Sequence, residues 1–101
     1  MTYVVTAKWT ANPGEEDRIG RICAEMTEPS RAEPANRFYQ AHRSPEDPRL
    51  FFLYEQYEDE AGYEAHMASE HFTRLVKDEA IPNLASRERE FYETLPEEAE
   101  P

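Results

Sequence analysis

Four segments of the chain are predicted to be strands, and in the first of them apolar and polar residues alternate, a pattern typical of a strand with one buried face. In the first segment, residues 3–10, the alternation places four side chains on one face: Tyr3, Val5, Ala7 and Trp9. The other three segments are Asn36–His42, Leu50–Tyr57 and Arg87–Leu95. We predict four strands, of which the second and third form an antiparallel pair joined by a proline-containing loop.

A helical period follows the first strand. Four apolar residues recur at i, i+3, i+4 and i+7 and would form one buried stripe: Ile19, Ile22, Cys23 and Met26. Asn12 is predicted to cap this helix, with Pro13 at its first position. Pro29 and Pro34 are predicted to end it, because proline lacks the backbone donor that a helix interior needs.

A second helical segment follows the third strand. Asp59 is predicted to cap it, and three residues fall on one side: Tyr63, His66 and Met67. Ser69 is predicted to cap a continuation whose apolar residues are Phe72, Leu75 and Val76. We expect Pro82 to break or bend that continuation.

The resulting order, β-α-β-β-α-β, predicts an α+β protein with a ferredoxin-like fold, in which two helices cover one face of a four-stranded antiparallel sheet. We expect one domain over residues 1–95 and a disordered acidic tail over residues 96–101. On the third strand the helix-free face would carry large groups as well: Phe52, Tyr54 and Gln56. An aromatic face without helices needs a cover, so we predict a homodimer.

Charge narrows the range of partners. The 101 residues include 22 acidic and 11 basic side chains, for a net charge of −11, which disfavours nucleic acid and anionic membranes as partners. The first residues do not resemble a signal peptide, and no apolar run approaches the roughly 20 residues that span a bilayer. We expect a cytoplasmic protein in which the single cysteine, Cys23, serves packing.

Most standard catalytic motifs are absent from the sequence. With three glycines and no glycine-rich loop, nucleotide binding is not expected. His66 and His71 are five residues apart, which is not the i, i+4 spacing of two metal ligands on one helix. We predict neither a metal nor another cofactor.

Two polar residues on apolar faces are candidates for acid and base chemistry. Glu55 lies between Leu53 and Tyr57 on one strand face, where burial would raise its pKa; alternatively it reaches an edge or pairs with a helix side chain. His66 would suit a general base near neutral pH, and it would equally suit a hydrogen-bonded core or capping histidine.

Aromatic residues near these two are the candidates for a pocket. Tyr54, Tyr57 and Tyr63, with Trp9, would stack a planar ring and offer hydroxyl groups to its oxygens. Aromatic side chains in strands also serve as core. The residues alone therefore leave the function open.

The segment LFFLYEQYEDEAGYEAHMASEHF, residues 50–72, resembles the antibiotic biosynthesis monooxygenase superfamily. The shared features are a strand ending in Glu55 and Tyr57, an Ala-His pair at His66, and Ser-x-x-Phe over residues 69–72. The resemblance extends to NPGEED at residues 12–17 and to residues 36–48. It implies a ferredoxin-like protomer that pairs into a dimeric α/β barrel, with a pocket between sheet and helices.

The resemblance also implies a reaction. Well-understood relatives oxidise phenolic or quinol-like rings with molecular oxygen and need neither metal nor flavin. By position, His66 matches the family histidine, Tyr63 matches a pocket tyrosine, and Tyr57 stands where many relatives have tryptophan. A haem-degrading branch uses an asparagine on strand one, where this chain has Val4, Val5, Thr6 and Ala7, so haem degradation is disfavoured.

Three functions remain as hypotheses. The first is a cofactor-independent monooxygenase of a small aromatic substrate, with His66 as base, Glu55 orienting it or the substrate, and Tyr57 and Tyr63 holding the ring. Further residues expected in the pocket are Trp9, Tyr54, Asn36, His71 and Phe72. The second is an isomerase of a small carbonyl or phosphorylated metabolite that uses the same acid and base. The third is a non-catalytic dimeric binder of small molecules.

Overall fold

Four strands and their intervening helices follow one another in the predicted order. The computed structural model describes residues 1–96, so the predicted disordered tail, apart from Pro96, lies outside the described residues. The elements are β1 (Tyr3–Ala11), α1 (Glu16–Arg31), β2 (Asn36–Arg43), β3 (Leu50–Tyr57), α2 (Glu60–Met67), a π-helix (Phe72–Ala80), a 3₁₀ helix (Ile81–Asn83) and β4 (Leu84–Glu93). The strands form one antiparallel sheet in the order β2-β3-β1-β4. The predicted α+β, ferredoxin-like fold is confirmed.

The start and the end of α1 differ from the prediction. Gly14 has a φ of 89°, a left-handed backbone conformation that interrupts a right-handed helix, so the helix begins after it and Asn12 is not its cap. Pro29 lies inside α1 and does not end it. Pro29 lacks only its own N–H donor, so later residues keep their hydrogen bonds, and the N–H of Ala32 reaches the carbonyl of Glu28 at 3.1 Å.

The second helical segment ends as predicted, but its backbone is unusual. Ser69 Oγ accepts a hydrogen bond from the Phe72 N–H at 3.2 Å, which confirms Ser69 as a cap. The nine residues Phe72–Ala80 form a π-helix, and Pro82 lies in the 3₁₀ helix that leads out of it. β4 spans Leu84–Glu93, three residues earlier at its start than predicted, because Leu84 already pairs with Ala11 across a register shift in β1.

The two faces of the sheet have different environments. The helices pack on one face of the sheet, which we call the covered face. The four β3 residues that point toward the helices are all buried: Phe51, Leu53, Glu55 and Tyr57. The opposite face, which we call the open face, carries the half-buried side chains Phe52, Tyr54 and Gln56 together with exposed Phe38 and Tyr92. The predicted division of β3 between two faces is therefore confirmed.

Candidate active site

Two polar side chains of β3 meet under the helices. Glu55 and Tyr57 are two residues apart on the covered face, so their side chains point the same way. The Tyr57 hydroxyl donates a hydrogen bond of 2.7 Å to Glu55 Oε1. Glu55 is 5% exposed and Tyr57 is fully buried. The sheet thus supplies the site with a carboxyl and a phenol that are already hydrogen-bonded to each other.

α2 brings Tyr63 and His66 onto this pair. Asp59 caps the helix by accepting a hydrogen bond from the Gly62 N–H at 2.9 Å, as predicted. Tyr63 and His66, three residues apart, both face the sheet, and the His66 ring centroid lies 5.4 Å from that of Tyr57. Gly62 allows the close approach of this helix to the loop before β2, because a Cβ there would lie 2.7 Å from the Cβ of Ala35.

The loop between α1 and β2 contributes a residue that the sequence did not indicate. Glu33 Oε2 lies 2.8 Å from His66 Nδ1 and 2.5 Å from His71 Nε2. Because a carboxylate only accepts hydrogen bonds, Nδ1 of His66 carries the proton and donates a hydrogen bond to Glu33. Nε2 of His66 is then free to accept a proton, and it points toward Glu55, whose Oε1 is 3.9 Å away.

Burial shapes the electrostatics of the site. It raises the pKa of Glu55, an effect that the nearby His66 and the Tyr57 hydrogen bond partly oppose. Burial, followed by the neighbouring Glu55 carboxyl, raises the pKa of Tyr57 well above its usual range. Burial also raises the pKa of Tyr63, against the hydrogen bond from Arg89. The tyrosines are therefore neutral hydrogen-bonding groups at neutral pH.

β4 places two arginines beside the site that sequence reasoning did not single out. Arg89 Nη1 donates to the Tyr63 hydroxyl at 2.9 Å. Arg87 Nε is buried without a hydrogen-bond partner among residues 1–96, and burial, with Arg89 nearby, lowers the pKa of Arg87. Alternation along β4, which puts Arg87, Arg89 and Phe91 opposite Trp9, Ala7 and Val5 on the covered face, is the signal that would have found them.

Six of the predicted site residues converge and three do not. Around His66 lie Glu55, Tyr57, Tyr63, His71 and Phe72, with ring centroids of the aromatic members 5.2 to 6.1 Å from that of His66.

Tyr54 lies on the open face beside Phe38, so it does not join this cluster within a protomer. Asn36 donates its side-chain N–H to the Phe38 carbonyl at 3.2 Å. Trp9 lies on the covered face in the apolar cluster that includes Phe51 and Leu53, and its indole N–H has no partner among residues 1–96.

A cavity of about 500 Å³ lies elsewhere, between α1 and β2. Its lining includes Gly20, Cys23 and Thr27 of α1 and Ala41, His42 and Arg43 of β2, and none of the predicted catalytic residues. Burial raises the pKa of the Cys23 thiol to about 12, so this cysteine is protonated at neutral pH. The convergence of polar groups at His66, rather than cavity size, therefore identifies the candidate active site.

The sequence of residues 2–78 matches the family model for antibiotic biosynthesis monooxygenases. The chain belongs to this family. The antibiotic biosynthesis monooxygenase match covers β1 through most of the π-helix, and thus includes Glu33, Glu55, Tyr57, Tyr63, His66 and His71. No curated protein matches the sequence.

Solved structures extend the likeness to the whole fold. PA3566 from Pseudomonas aeruginosa is 29% identical, with a TM-score of 0.88 over 94% of this chain and 95% of its own. A protein described as an antibiotic biosynthesis monooxygenase is 28% identical, with a TM-score of 0.85 over 95% of this chain and 100% of its own. Rv0793 from Mycobacterium tuberculosis, at 20% identity, shares the fold with a TM-score of 0.87 over 98% of this chain and 100% of its own. Within residues 1–96 no helix is both long and apolar enough to cross a membrane.

Proposed function

We propose that the protein is a monooxygenase that oxidises a small phenolic or quinol-type ring with molecular oxygen, without a bound cofactor in the reaction. The observation that carries the proposal is the orientation of His66. Its Nδ1 donates to Glu33, and its Nε2 faces Glu55 among the rings of Tyr57, Tyr63 and Phe72. Membership of the antibiotic biosynthesis monooxygenase family supports the same reaction class.

In the proposed reaction, His66 Nε2 takes the proton of the substrate hydroxyl. The Glu33 carboxylate stabilises the imidazolium that forms, because it accepts a hydrogen bond from Nδ1 in both protonation states. The resulting electron-rich anion reduces oxygen directly. Where a ring CH₂ becomes a carbonyl, one oxygen atom enters the product and the other leaves as water, so the substrate supplies all four electrons.

The remaining residues hold the substrate and exclude water. Tyr57 and Tyr63 are proposed to contact the ring, and Glu55 to orient it through the Tyr57 hydroxyl. This assignment differs from one of the sequence-based alternatives, because Glu33 rather than Glu55 is hydrogen-bonded to His66. His66 is 2% exposed, and such a dry site would shield the radical pair formed from oxygen and the substrate anion. Substrate entry therefore requires side chains such as Tyr63 to move.

We also propose that two open faces pair to form a dimeric α/β barrel. The open face carries Phe38 and Tyr92, exposed by 45% and 50%, beside half-buried Phe52 and Tyr54. Aromatic groups of this size gain free energy when a second sheet removes them from water. The active site lies on the covered face, so pairing leaves it within each protomer.

An isomerase remains the second candidate, because Glu55 and His66 Nε2 lie 3.9 Å apart and would form an acid and base pair. Such an enzyme would exchange solvent deuterium into its product without oxygen. A non-catalytic binder would show neither oxygen uptake nor exchange.

Oxygen uptake with anthrone-like and menadiol-like substrates tests the proposal. We expect turnover by the wild type, and a loss of about 100-fold or more in kcat/KM for His66→Ala, the size typical of a removed general base. His42→Ala is the matched control, because His42 lies on the open face and its Nδ1 contacts the Phe52 carbonyl at 3.1 Å. A loss below about threefold for His66→Ala would remove the histidine from the mechanism.

A further inference from the structure

Three potential metal ligands converge beside the proposed catalytic base. Glu33 lies in the loop before β2, His66 lies in α2, and His71 is the residue immediately before the π-helix. Their ligand atoms, one carboxylate oxygen and two ring nitrogens, all lie within 4.8 Å of one another. His66 is buried, and Glu33 and His71 are mostly buried. Two imidazoles and one carboxylate are a set that binds transition-metal ions in many proteins.

The hydrogen bonds among these three side chains leave one oxygen of Glu33 without a partner. Both imidazoles converge on the same oxygen of Glu33, Oε2, at 2.8 and 2.5 Å. The other oxygen, Oε1, is buried and has no hydrogen-bond partner among residues 1–96. A buried carboxylate oxygen without a partner is uncommon, because its desolvation is uncompensated. A cation between the three side chains would bind the carboxylate and compensate that burial.

We infer that Glu33, His66 and His71 form a binding site for a divalent transition-metal ion such as Zn²⁺. Zinc bonds of about 2.0 to 2.1 Å to nitrogen and oxygen place tetrahedral ligand atoms roughly 3.3 Å apart. To admit the ion, Glu33 Oε2 would have to retreat by less than about 1 Å from the two nitrogens, and the nitrogens, which lie within 4.8 Å of each other, would have to come to roughly 3.3 Å. A water molecule or a small ligand would complete the coordination.

The surroundings favour this class of ion. Metal-bound histidines commonly direct their second ring N–H at a carboxylate, and His66 Nε2 faces Glu55 Oε1 at 3.9 Å. Nitrogen ligands select Zn²⁺ and its neighbours over Mg²⁺ and Ca²⁺, which prefer oxygen. The spacing of five residues between the histidines does not prevent the site, because the chain turns at Ala68 and Ser69 between them.

Metal binding would compete with the proposed function. An ion on His66 Nδ1 takes the place of the proton there, so the neutral ring must carry its proton on Nε2. That nitrogen then donates rather than accepts and is unable to take a proton from a substrate. The site would therefore act as an inhibitory switch, a consequence that rests on the proposed function, whereas the binding itself does not.

Metal titration of the full chain tests the site. After treatment with a chelator, we expect the wild type to bind one Zn²⁺ per chain in calorimetry and to show no saturable binding of Mg²⁺. Affinity should fall at least tenfold in His71→Ala and in Glu33→Gln, and should be unchanged in His42→Ala. No binding at one per chain, or equal affinity in His71→Ala and the wild type, would overturn the inference.

A measurement on the wild type alone covers the case in which a variant does not fold. Zn²⁺ should shift the ring ¹⁵N resonances of His66 and His71 in NMR spectra and leave those of His42 in place. Shifts at His42 alone, or at no histidine, would contradict the site.

Activity provides a separate result. Zn²⁺ should lower oxygen uptake by the wild type, and the ratio of rates without and with Zn²⁺ should fall toward one in His71→Ala. Binding without inhibition would contradict the switch and leave the metal site standing. Absence of oxygen uptake under any condition would contradict the proposed function, while calorimetry and NMR would still decide on the metal.

Discussion

The covered and open faces of β3 carry similar numbers of aromatic residues but differ in what their polar groups do. On the covered face, Glu55 and Tyr57 are hydrogen-bonded to each other and lie against His66. On the open face, Gln56 donates to the Tyr54 hydroxyl at 2.9 Å, and both are partly exposed. The same period-2 pattern thus produces a desolvated polar cluster on one side and a surface suited to association on the other.

The covered face itself is divided along the strands. Toward Phe51 and Leu53 the packing is apolar, and it includes the stripe of α1. Toward Glu55 and Tyr57 the packing is polar, and four segments supply its hydrogen-bonding groups: β3, the loop before β2, α2 and the residue before the π-helix. Stability should therefore depend most on the first end and function on the second.

The largest stability effect should come from Leu53→Ala. Leu53 is 1% exposed in the apolar end of the covered face, and truncating such a residue leaves a cavity. We expect the free energy of unfolding to fall by about 3 kcal/mol. Urea denaturation at low protein concentration would measure it. Phe52→Ala, on the open face of the same strand, should cost less than half as much, and equal losses would contradict the division between the faces.

Gly62→Ala tests the close approach of α2 to the loop that carries Glu33. Alanine normally stabilises a helix relative to glycine by about 0.5 to 1 kcal/mol. At Gly62, however, the new Cβ would lie 2.7 Å from Ala35, so we expect destabilisation of about 1 to 3 kcal/mol.

Gly20→Ala in α1 is the matched control for this change. The atoms nearest to its new Cβ are 3.7 Å away, an ordinary contact, so this variant should gain stability. Thermal or urea denaturation of both variants measures the effect. A gain of stability in both variants would show that α2 adjusts to the new Cβ at Gly62 without cost.

Phe38→Glu tests whether the open face pairs with a second copy. Phe38 is 45% exposed at the edge strand of that face, and a charge there would be buried in the proposed dimer. We expect the dimer dissociation constant to rise at least tenfold, about 1.4 kcal/mol, in analytical ultracentrifugation. Ile81→Glu is the control, since Ile81 is 39% exposed in the 3₁₀ helix, outside the sheet. A wild type that stays monomeric would contradict the pairing itself.

The periodicity of strands and helices predicted those features of the molecule that depend on residues close together in the sequence. Alternation placed Glu55 and Tyr57 on one face, and the Asp59 cap with helical spacing placed Tyr63 and His66 on the sheet. Because β3 leads directly into α2, these four residues converge through a connection of two residues. The fold followed from the order of such segments.

Long-range contacts account for what local patterns did not predict. Glu33 lies 33 residues before His66, in a loop without periodicity, so nothing in the sequence linked the two. Pro29 was expected to end α1, but a proline lacks only its own N–H donor, so the hydrogen bonds of later residues let the helix continue to Arg31. No metal site was predicted because the spacing of His66 and His71 was compared with that of two ligands on one helix. The three potential ligands, Glu33, His66 and His71, instead come from three segments.

The smallest expected effect is the pH dependence introduced by Glu55. Because burial raises the pKa of Glu55 in the folded state, the folded protein binds a proton more readily than the unfolded chain does. The contribution of Glu55 to stability is therefore fully present below its usual pKa of 4.5 and is lost as the pH rises through the raised folded value. Glu55→Gln, which stays neutral and keeps an acceptor for Tyr57, should be more stable than the wild type at neutral pH, by on the order of 1 kcal/mol.

The comparison of Glu55→Gln with the wild type is made across a pH series of urea denaturations. The difference in free energy of unfolding should shrink toward zero as the pH falls below 4.5. Glu46→Gln, in the exposed loop before β3, controls for the loss of one charge from an acidic chain and should stay within about 0.5 kcal/mol of the wild type. A stability difference for Glu55→Gln that does not change with pH would show that Glu55 takes up no proton on folding. In that case its hydrogen bond with Tyr57, rather than its burial, would control its ionisation.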